Sequence, residues 1–373
     1  MLWLALNCGS SSVKFAVVDA TDRTRRLAGV REIPAGDAQA ALDAVVAELA
    51  QDPDLVGELA GIGHRVVHGG ERFSESIRID AEVLAGIESV SPMAPLHNPL
   101  NLMGIHTLQR AFPALPQVAV FDTAFHQSLP PRAYLYPLPH SLYAEHGVRR
   151  YGFHGTSHRS VAHQAAQRFG LSGDGARMVS AHLGNGCSTA AILGGRCIET
   201  SMGFSPLEGL VMGTRSGDID PGLHAFLGQR LGLDLAGVTR LLNRESGLLG
   251  LSGLSGDMRE LEAAEAQGES RAALALEIFC YRLAKNIASL VVPLGGLDAL
   301  LFTGGIGENS ARVRAQVLDW LAPLGFQIDT AANARHGEGA DGRISAVGPP
   351  LAAVVATDEE LLIAEETARV LAG

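Results

Sequence analysis

The chain has 373 residues, of which 47% are hydrophobic, and a formal net charge of −11 at pH 7. Its length exceeds the about 250 to 300 residues at which a single hydrophobic core stops growing, so two domains with a cleft between them are predicted. The acidic balance, without any block of lysine and arginine, argues against binding to nucleic acid or to an anionic membrane, and the hydrophobic content argues against a disordered chain.

The cysteines and the apolar segments favour a reduced, cytoplasmic protein. The four cysteines form no CxxC pair, and the N-terminus lacks the basic segment of a secretory signal. No apolar run reaches the about 18 uncharged residues that spanning a bilayer requires. The nearest, 283–297, is interrupted by Lys285 and Asn286 at helical spacing. It therefore predicts a core helix.

A polar stretch between two apolar runs opens the chain. Residues 7–14, Asn-Cys-Gly-Ser-Ser-Ser-Val-Lys, lie between the β-like runs 2–6 and 15–18 and predict a hairpin. Gly9 would let backbone N–H groups approach an anion, and the hydroxyls, the amide and Lys14 are partners for phosphate and metal-bound water. On its own, the stretch is equally consistent with an ordinary Ser/Gly turn.

The next segments predict a helix, a strand and a loop. Residues 37–51 have the apolar spacing of an amphipathic helix, with Asp37 as its N-cap. Arg65 lies in a β-branched, glycine-flanked stretch, where it is either an anion clamp or a solvent-facing residue of an edge strand. Residues 91–101 contain three prolines and predict a shaped loop.

Polar groups follow the next predicted strand. Asp122 ends the strand predicted within 116–124, which is a usual place for a ligand or metal partner, although the carboxylate could instead cap the following turn. Further on, Ser157 is a candidate N-cap for a helix over 159–169. His154, between Phe153 and Gly155, is harder to explain as a cap.

The second half repeats some of these features. Two predicted strands within 178–193 flank a Gly-Asn-Gly-Cys-Ser turn, as in the opening hairpin, which suggests a duplicated unit. Residues 203–221 are rich in turn formers and predict a long functional loop that carries Arg215. Asp257 lies at a predicted helix start, as a cap or a ligand.

The C-terminal third has a layout that suits a nucleotide. A helix over 271–292 precedes a strand over 299–302, a glycine turn over 303–309 and a helix over 310–321. A helix N-terminus next to bare backbone favours anions. Neither the dinucleotide fingerprint nor the P-loop sequence occurs. A last strand, 351–356, is again followed by carboxylates.

This inventory fits phosphoryl transfer, in which positioning and charge neutralisation across the transferred group supply most of the catalysis. Eight motifs of the chain, in order, resemble those of the acetate kinase (acetokinase) family. They are residues 7–14, 63–70, 95–99, 121–126, 151–158, 182–186, 212–215 and 302–309.

The resemblance covers essentially the whole chain and implies an α/β fold: two domains of duplicated ribonuclease H-like (actin-like ATPase) fold with an interdomain cleft. The first domain would comprise 1–126 plus 362–373, and the second 127–361. The implied reaction is reversible, Mg²⁺-dependent transfer of the γ-phosphoryl group of ATP to acetate, giving ADP and acetyl phosphate. A homodimer is usual in the family.

Carried over by position, the resemblance also implies site residues. Arg65, Arg215, His154 and Asp122 would be catalytic, and Asn7 and Glu359 would hold Mg²⁺. The methyl pocket would be formed by Val67, Leu96, Phe153 and Pro206. The nucleotide would contact Lys14, His182, Asn185, Gly186, Asp257, Met258, Arg259, Gly305, Ile306, Gly307, Glu308 and Asn309.

Two further expectations concern Asp122 and Cys8. A carboxylate acceptor is already ionised at neutral pH, so Asp122 is expected to orient metal or arginine rather than remove a proton. Cys8 stands where the family commonly has alanine. It is either a neutral packing change or, as a thiol near the phosphates, a source of sensitivity to alkylation. The chain is also short between Asp19 and Gly61, which bears on dimer contacts.

Three alternatives stay open on the residues alone. The first is the same phosphoryl transfer to propionate or butyrate, because a hydrophobic pocket discriminates between such acids by only about 1 to 3 kcal/mol per methylene. A nucleotide-switched binding protein of the actin or chaperone type would need phosphate turns, but not two arginines on the acceptor side. A zinc hydrolase would need a histidine or Cys/His ligand spacing with an acidic partner, which the sequence does not supply.

Overall fold

The computed structural model describes residues 1–9, 12–33, 37–95, 97–171, 173–348 and 350–372. The strands within these residues form two sheets. They are β1 (Leu2–Cys8), β2 (Ser12–Asp19), β3 (Thr24–Glu32), β4 (Leu59–Val66), β5 (Ile77–Arg78), β6 (Gln117–Phe121), β7 (Arg177–Leu183), β8 (Cys187–Leu193), β9 (Arg196–Thr200), β10 (Ala299–Thr303) and β11 (Leu351–Val354).

The α-helices lie between groups of these strands and after the last of them. They are α1 (Ala38–Leu49), α2 (Pro53–Gly57), α3 (Ala81–Val90), α4 (Asn98–Ala111), α5 (Pro131–Tyr134), α6 (His140–His146), α7 (Gly155–Phe169), α8 (Leu223–Leu231), α9 (Leu235–Arg244), α10 (Gly247–Ser252), α11 (Met258–Ala266), α12 (Ser270–Leu294), α13 (Gly304–Asn309), α14 (Ala311–Trp320), α15 (Thr330–Ala334) and α16 (Glu359–Leu371). Short 3₁₀ turns cover Ser91–Met93, Ala124–Ser128 and Ala322–Leu324. In the described part of the chain, no helix has the length and apolar character needed to cross a membrane.

The chain divides into two compact units. The first contains 1–127, 153–157 and 358–373, and the second contains 128–152 and 158–357. The assignment of 1–126 plus 362–373 and of 127–361 to two actin-like domains stays a prediction.

Both units contain the same arrangement of strands. In the first, the antiparallel meander β1-β2-β3 is extended from β1 by the parallel strands β4 and β6, with β5 at the far edge. In the second, the meander β7-β8-β9 is extended from β7 by the parallel strands β10 and β11. The two predicted hairpins are confirmed, and the shared order confirms the predicted α/β class and its duplicated unit.

Helix α16 packs on the first sheet because glycines in β4 leave room for it. A Cβ atom added to Gly63 would overlap Thr367 Oγ1 and lie 2.6 Å from Ile363 Cγ2. One added to Gly61 would lie 2.6 Å from Leu371 Cδ1. The contact therefore ties the last helix to a central strand near the start of the chain.

We expect Gly63→Ala to lower the free energy of unfolding by about 1–3 kcal/mol, because the added methyl overpacks this contact. Urea unfolding followed by circular dichroism measures the change. Gly57→Ala is the matched control, since nothing lies within 4 Å of a Cβ atom at that position. Equal stability of the two variants would contradict the close approach.

Three helix starts differ from the sequence predictions. Helix α4 begins at Asn98, inside the predicted loop, because Pro99 lies in the first turn, where its missing N–H is not needed. Helix α7 begins at Gly155 rather than Arg159, so Ser157 is not its N-cap. The predicted glycine turn is helix α13, whose first amide, on Gly304, donates to Glu308 Oε1 at 2.9 Å.

Candidate functional site

Arg65 lies at the centre of a polar cluster in the first unit. It is the last but one residue of β4, a strand paired on both sides, so the edge-strand alternative is wrong. Its Nε donates to Asp122 Oδ2 at 3.0 Å, its Nη2 bonds the same oxygen, and its Nη1 donates to Asn7 Oδ1 at 3.1 Å. Asn7 and Asp122 lie at the ends of β1 and β6, the neighbours of β4. Three parallel strand ends thus bring the cluster together.

Asp122 is fully buried and both of its oxygens are engaged. Oδ2 accepts from Arg65, while Oδ1 accepts from Thr156 Oγ1 at 3.0 Å. Burial lowers the pKa of Arg65, but the charges of Asp122 and Glu359 outweigh it, so that this pKa is raised. The guanidinium is therefore a fixed positive charge. The bonds of the carboxylate are those of a group that orients Arg65, rather than those of a turn cap.

The segment that carries His154 is pressed against Asp122. His154 has a φ of 58°, a left-handed conformation that costs a non-glycine residue about 1–3 kcal/mol and is typical of functional sites. The amide of Gly155 donates to the carbonyl of Asp122 at 3.0 Å, and a Cβ atom on Gly155 would overlap that carbonyl oxygen. Phe153 and Val67 are buried in the same unit, whereas Leu96 lies outside the described residues.

Asn7 and Glu359 meet although 352 positions separate them. Asn7 Nδ2 donates to Glu359 Oε2 at 2.7 Å, and Glu359 is the first residue of α16. An amide and a carboxylate are hard oxygen donors, and Mg²⁺ typically takes one or two protein carboxylates and completes its shell with water and substrate phosphates. Asn7 and Glu359 are therefore of the ligand types that fit Mg²⁺, and in this structure Asn7 Oδ1 accepts from Arg65 Nη1. Among the described residues, no group of three or more His, Cys, Asp or Glu could hold a metal ion.

The environment of Cys8 favours the neutral packing change over sensitivity to alkylation. The thiol is buried, and it lies 2.9 Å from where a Cβ atom on Gly104 would be. Burial raises the pKa of Cys8 to about 12, despite the lowering effect of Arg65, so the thiolate that alkylation requires does not form near neutral pH.

A separate cavity of about 670 Å³ lies in the second unit, where the N-termini of α11, α13 and α14 converge. Such a volume is typical of a small-molecule site. Its wall combines glycine backbone with Asn185, Arg259 and Glu262. The lining residues are Gly184, Asn185, Gly256, Asp257, Met258, Arg259, Glu262, Gly305, Ile306, Asn309 and Ser310.

Most of the predicted nucleotide residues line this cavity, and the others lie elsewhere. Gly307 is buried behind it, and the Glu308 carboxylate accepts from the amides of Gly304 and Thr357. His182 and Gly186 belong to the β7–β8 hairpin. Lys14 is exposed on β2 of the first unit, where it pairs in register with Asn7.

Asp257 has a structural role as well as a place in the cavity wall. It is the N-cap of α11, accepting from the amide of Arg259 at 2.9 Å, so the predicted cap is confirmed. Its carboxylate also bonds the Arg259 side chain, which lowers the pKa of Asp257.

Arg215 is a half-buried cation in the predicted loop. As expected, this loop contains no helix or strand between 203 and 221. Its Nη1 donates to the carbonyl of Pro206 at 2.7 Å. In the part of the chain that the structure describes, no carboxylate forms an ion pair with it. Burial lowers the pKa of Arg215, partly offset by Cys187. A half-buried guanidinium with no carboxylate partner among the described residues is suited to bind an anion.

Sequence reasoning missed five contributors. Thr156 belongs to one of the family motifs, but its bond to Asp122 joins positions 34 apart. The other four line the second-unit cavity: Gly184, Gly256, Glu262 and Ser310. For Gly256 and Ser310, the local signal is their place beside a helix start.

Comparison with known proteins shows the family of this chain. The family model described as the acetokinase family matches residues 29–365. The acetate kinase of Deinococcus deserti is 54% identical, covering 100% of this chain and 98% of the relative, and that of Ectopseudomonas mendocina is 53% identical, covering 99% and 98%.

Two solved structures are also similar over nearly their whole length. The propionate kinase of Francisella tularensis is 42% identical, with a TM-score of 0.91 and 98% of each chain covered. The acetate kinase of Porphyromonas gingivalis is 40% identical, with a TM-score of 0.90 and 99% of each chain covered.

Proposed function

The chain belongs to the acetokinase family and is a phosphotransferase, and we propose that it transfers the γ-phosphoryl group of ATP to the carboxylate of acetate, reversibly and in line. The observation that carries this proposal is the pair of arginines. Arg65 is held between Asp122 and Asn7, and Arg215 is half-buried and forms no ion pair with a carboxylate among the described residues. Both suit an acceptor and a transferring group that are negatively charged.

In this proposal, each catalytic side chain positions charge and none needs to remove a proton. The acceptor carboxylate is ionised at neutral pH and can attack phosphorus directly. Asp122 holds the Arg65 guanidinium through Nε and Nη2. Arg65 and Arg215 would bind the acetate carboxylate and the transferring phosphoryl group, with His154 assisting. Val67, Leu96, Phe153 and Pro206 would enclose the methyl group.

Asn7 and Glu359 would hold Mg²⁺, which supplies neutralisation of the phosphate charge when bound. The nucleotide would occupy the second-unit cavity, with adenosine against 257–259 and 305–309 and its phosphates near Asn185, Gly186, His182 and Lys14. A cytoplasmic homodimer that acts only on small molecules is proposed from the family and from the composition.

Trapping the acyl phosphate with hydroxylamine tests the function. We expect ATP-dependent hydroxamate with acetate, and a smaller kcat/KM with propionate and butyrate. A higher kcat/KM with propionate would favour the alternative that the similarity to the Francisella propionate kinase suggests. No hydroxamate from any of the three acids, with ATP binding intact, would overturn the proposal and favour a nucleotide-switched binding protein.

Glu359→Gln is expected to raise the dissociation constant for the divalent cation by about tenfold, or about 1.4 kcal/mol. The amide keeps the hydrogen-bonding shape but loses the charged ligand. Binding of Mn²⁺ in the presence of ADP, followed by electron paramagnetic resonance, measures this without turnover. Glu360→Gln is the control, because that neighbouring carboxylate lies 3.6 Å from Arg25 instead. Equal cation affinity in both variants would remove Glu359 from the metal site.

A further inference from the structure

A group of three side chains in the second unit, Tyr136, Arg150 and Glu208, forms what we call the Glu208 clamp. One carboxylate oxygen of Glu208 accepts from Arg150 Nη2 at 2.6 Å, and the other accepts from the hydroxyl of Tyr136. Burial and the adjacent Glu208 raise the pKa of Tyr136, so the phenol remains a donor. Burial lowers the pKa of Arg150, but the nearby acidic groups, Glu208 foremost, outweigh it and the pKa is raised. At neutral pH, the phenol of Tyr136 is therefore protonated and the guanidinium of Arg150 is charged.

The clamp fixes the backbone on both of its sides. Arg150 Nη1 donates to three consecutive carbonyls, those of Thr200, Ser201 and Met202, at 3.0 to 3.2 Å. The hydroxyl of Tyr136 accepts from the amide of Phe204 at 2.8 Å. The end of β9 and the start of the 203–221 loop are therefore held by the same two side chains that bind Glu208.

A second set of bonds joins this backbone to the segment before His154. The amides of Tyr151 and Gly152 donate to the carbonyl of Gly203 at 3.0 and 3.2 Å. A Cβ atom on Gly203 would overlap both the Glu208 carboxylate and the Tyr136 hydroxyl. Only glycine leaves room for the clamp at this position.

The fixed backbone leads directly to residues of the proposed site. Gly152 is followed by Phe153 and His154. Glu208 lies two residues after Pro206, whose carbonyl accepts from Arg215. On the far side of the loop, Asp218 exchanges hydrogen bonds with Gly209, through its side chain at 2.7 Å and its backbone at 2.9 Å. Arg215 therefore bonds a carbonyl that lies between Phe204 and Glu208, two residues at which the backbone or side chain is bonded within the clamp.

We propose that Glu208 is a positioning residue for the phosphoryl-transfer site. It acts by fixing the 203–221 loop and thereby the guanidinium of Arg215. The inference rests on the proposed function. Glu208 contacts neither substrate in this assignment, and the residues of the clamp do not line the proposed nucleotide cavity. Displacing a catalytic group by about 1 Å lowers the reaction rate by up to about 10²-fold.

The experiment compares Glu208→Gln, Tyr136→Phe and Asp298→Asn with the unaltered chain. Asp298 pairs with Arg177 at 2.6 Å at another place in the same unit, with a similar exposure, and so matches the loss of one ion pair. For Glu208→Gln we expect kcat/KM for acetate to fall about 10- to 100-fold, with KM for ATP within about twofold. For Tyr136→Phe, the milder change, kcat/KM for acetate should fall less. Asp298→Asn should lose only thermal stability.

Hydrogen exchange of the peptides covering 203–221 provides a readout independent of turnover. These peptides should exchange faster in Glu208→Gln and Tyr136→Phe but not in Asp298→Asn. The proposed role of Glu208 would be overturned if Tyr136→Phe left both kcat/KM and loop exchange unchanged. It would also be overturned if Asp298→Asn lost as much activity as Glu208→Gln. If the unaltered chain forms no acyl hydroxamate, the proposed function fails, and loop exchange still decides whether the clamp holds the loop.

Discussion

Replacing Arg65 by lysine is expected to lower kcat for acetyl phosphate formation by about 10²- to 10³-fold, the loss that follows removal of one charge-stabilising donor. The arginine donates through Nε and Nη2 to Asp122 and through Nη1 to Asn7. A lysine ammonium keeps the charge, but it cannot satisfy Asp122 twice, reach Asn7 and face a substrate at once. The hydroxamate assay at saturating ATP and acetate measures the loss.

Arg72→Lys is the matched control for this experiment. Arg72 belongs to the same unit and pairs with Glu82 at 2.6 Å, but both side chains of the pair are exposed. Exposed ion pairs contribute about 0–1 kcal/mol to stability, so this variant should keep both its activity and its melting temperature. A fully active, folded Arg65→Lys enzyme would show that the planar fork is not needed.

Arg215→Lys is expected to lower kcat by a comparable factor, about 10²- to 10³-fold. The guanidinium can bind Pro206 through Nη1 and still present its other donors to an anion. A lysine ammonium that donates to the Pro206 carbonyl cannot also reach the anion. If it binds the anion instead, the Pro206 carbonyl loses its hydrogen bond. Rates measured in both directions of the reaction should fall together, because both pass through the same charged transition state.

Arg282→Lys controls for the loss of an arginine that supports the same loop. Arg282 Nη1 donates to the carbonyl of Asp218 at 2.8 Å, but the side chain is exposed. We expect its kcat to stay within about twofold, because a surface change of this kind alters stability by about 0.5 kcal/mol or less. A similar loss of kcat in both variants would place the effect in the loop and not in the Arg215 charge.

The features that the sequence predicted well are those with local causes. The hairpins at 7–14 and 182–188 follow from apolar runs around Gly/Ser turns, and α1 follows from its apolar spacing and the Asp37 cap. Asp122 could be placed because it follows a buried strand. Such signals lie within a few residues of the element that they predict.

The features that were missed have distant causes. Helix α13 looks like a glycine turn in sequence, but the Glu308 carboxylate caps it and also accepts from the amide of Thr357, 49 positions away. Thr156 becomes part of the site only because α7 starts early enough to bring its hydroxyl to Asp122. The burial of Cys8 depends on the packing of α4, where Gly104 faces the thiol. None of these contacts is encoded in the neighbouring residues.

The packing of α16 on the first sheet also determines the order in which the protein can fold during synthesis. Helix α16 contacts β1, β4 and β6 and covers Trp3 and Val120. At about 5–20 residues per second, a ribosome needs roughly 10 to 50 s to make the ~230 residues between 127 and 358. Throughout that interval, the apolar face of the first sheet lacks the helix that covers it. The unit whose synthesis begins first is therefore completed last.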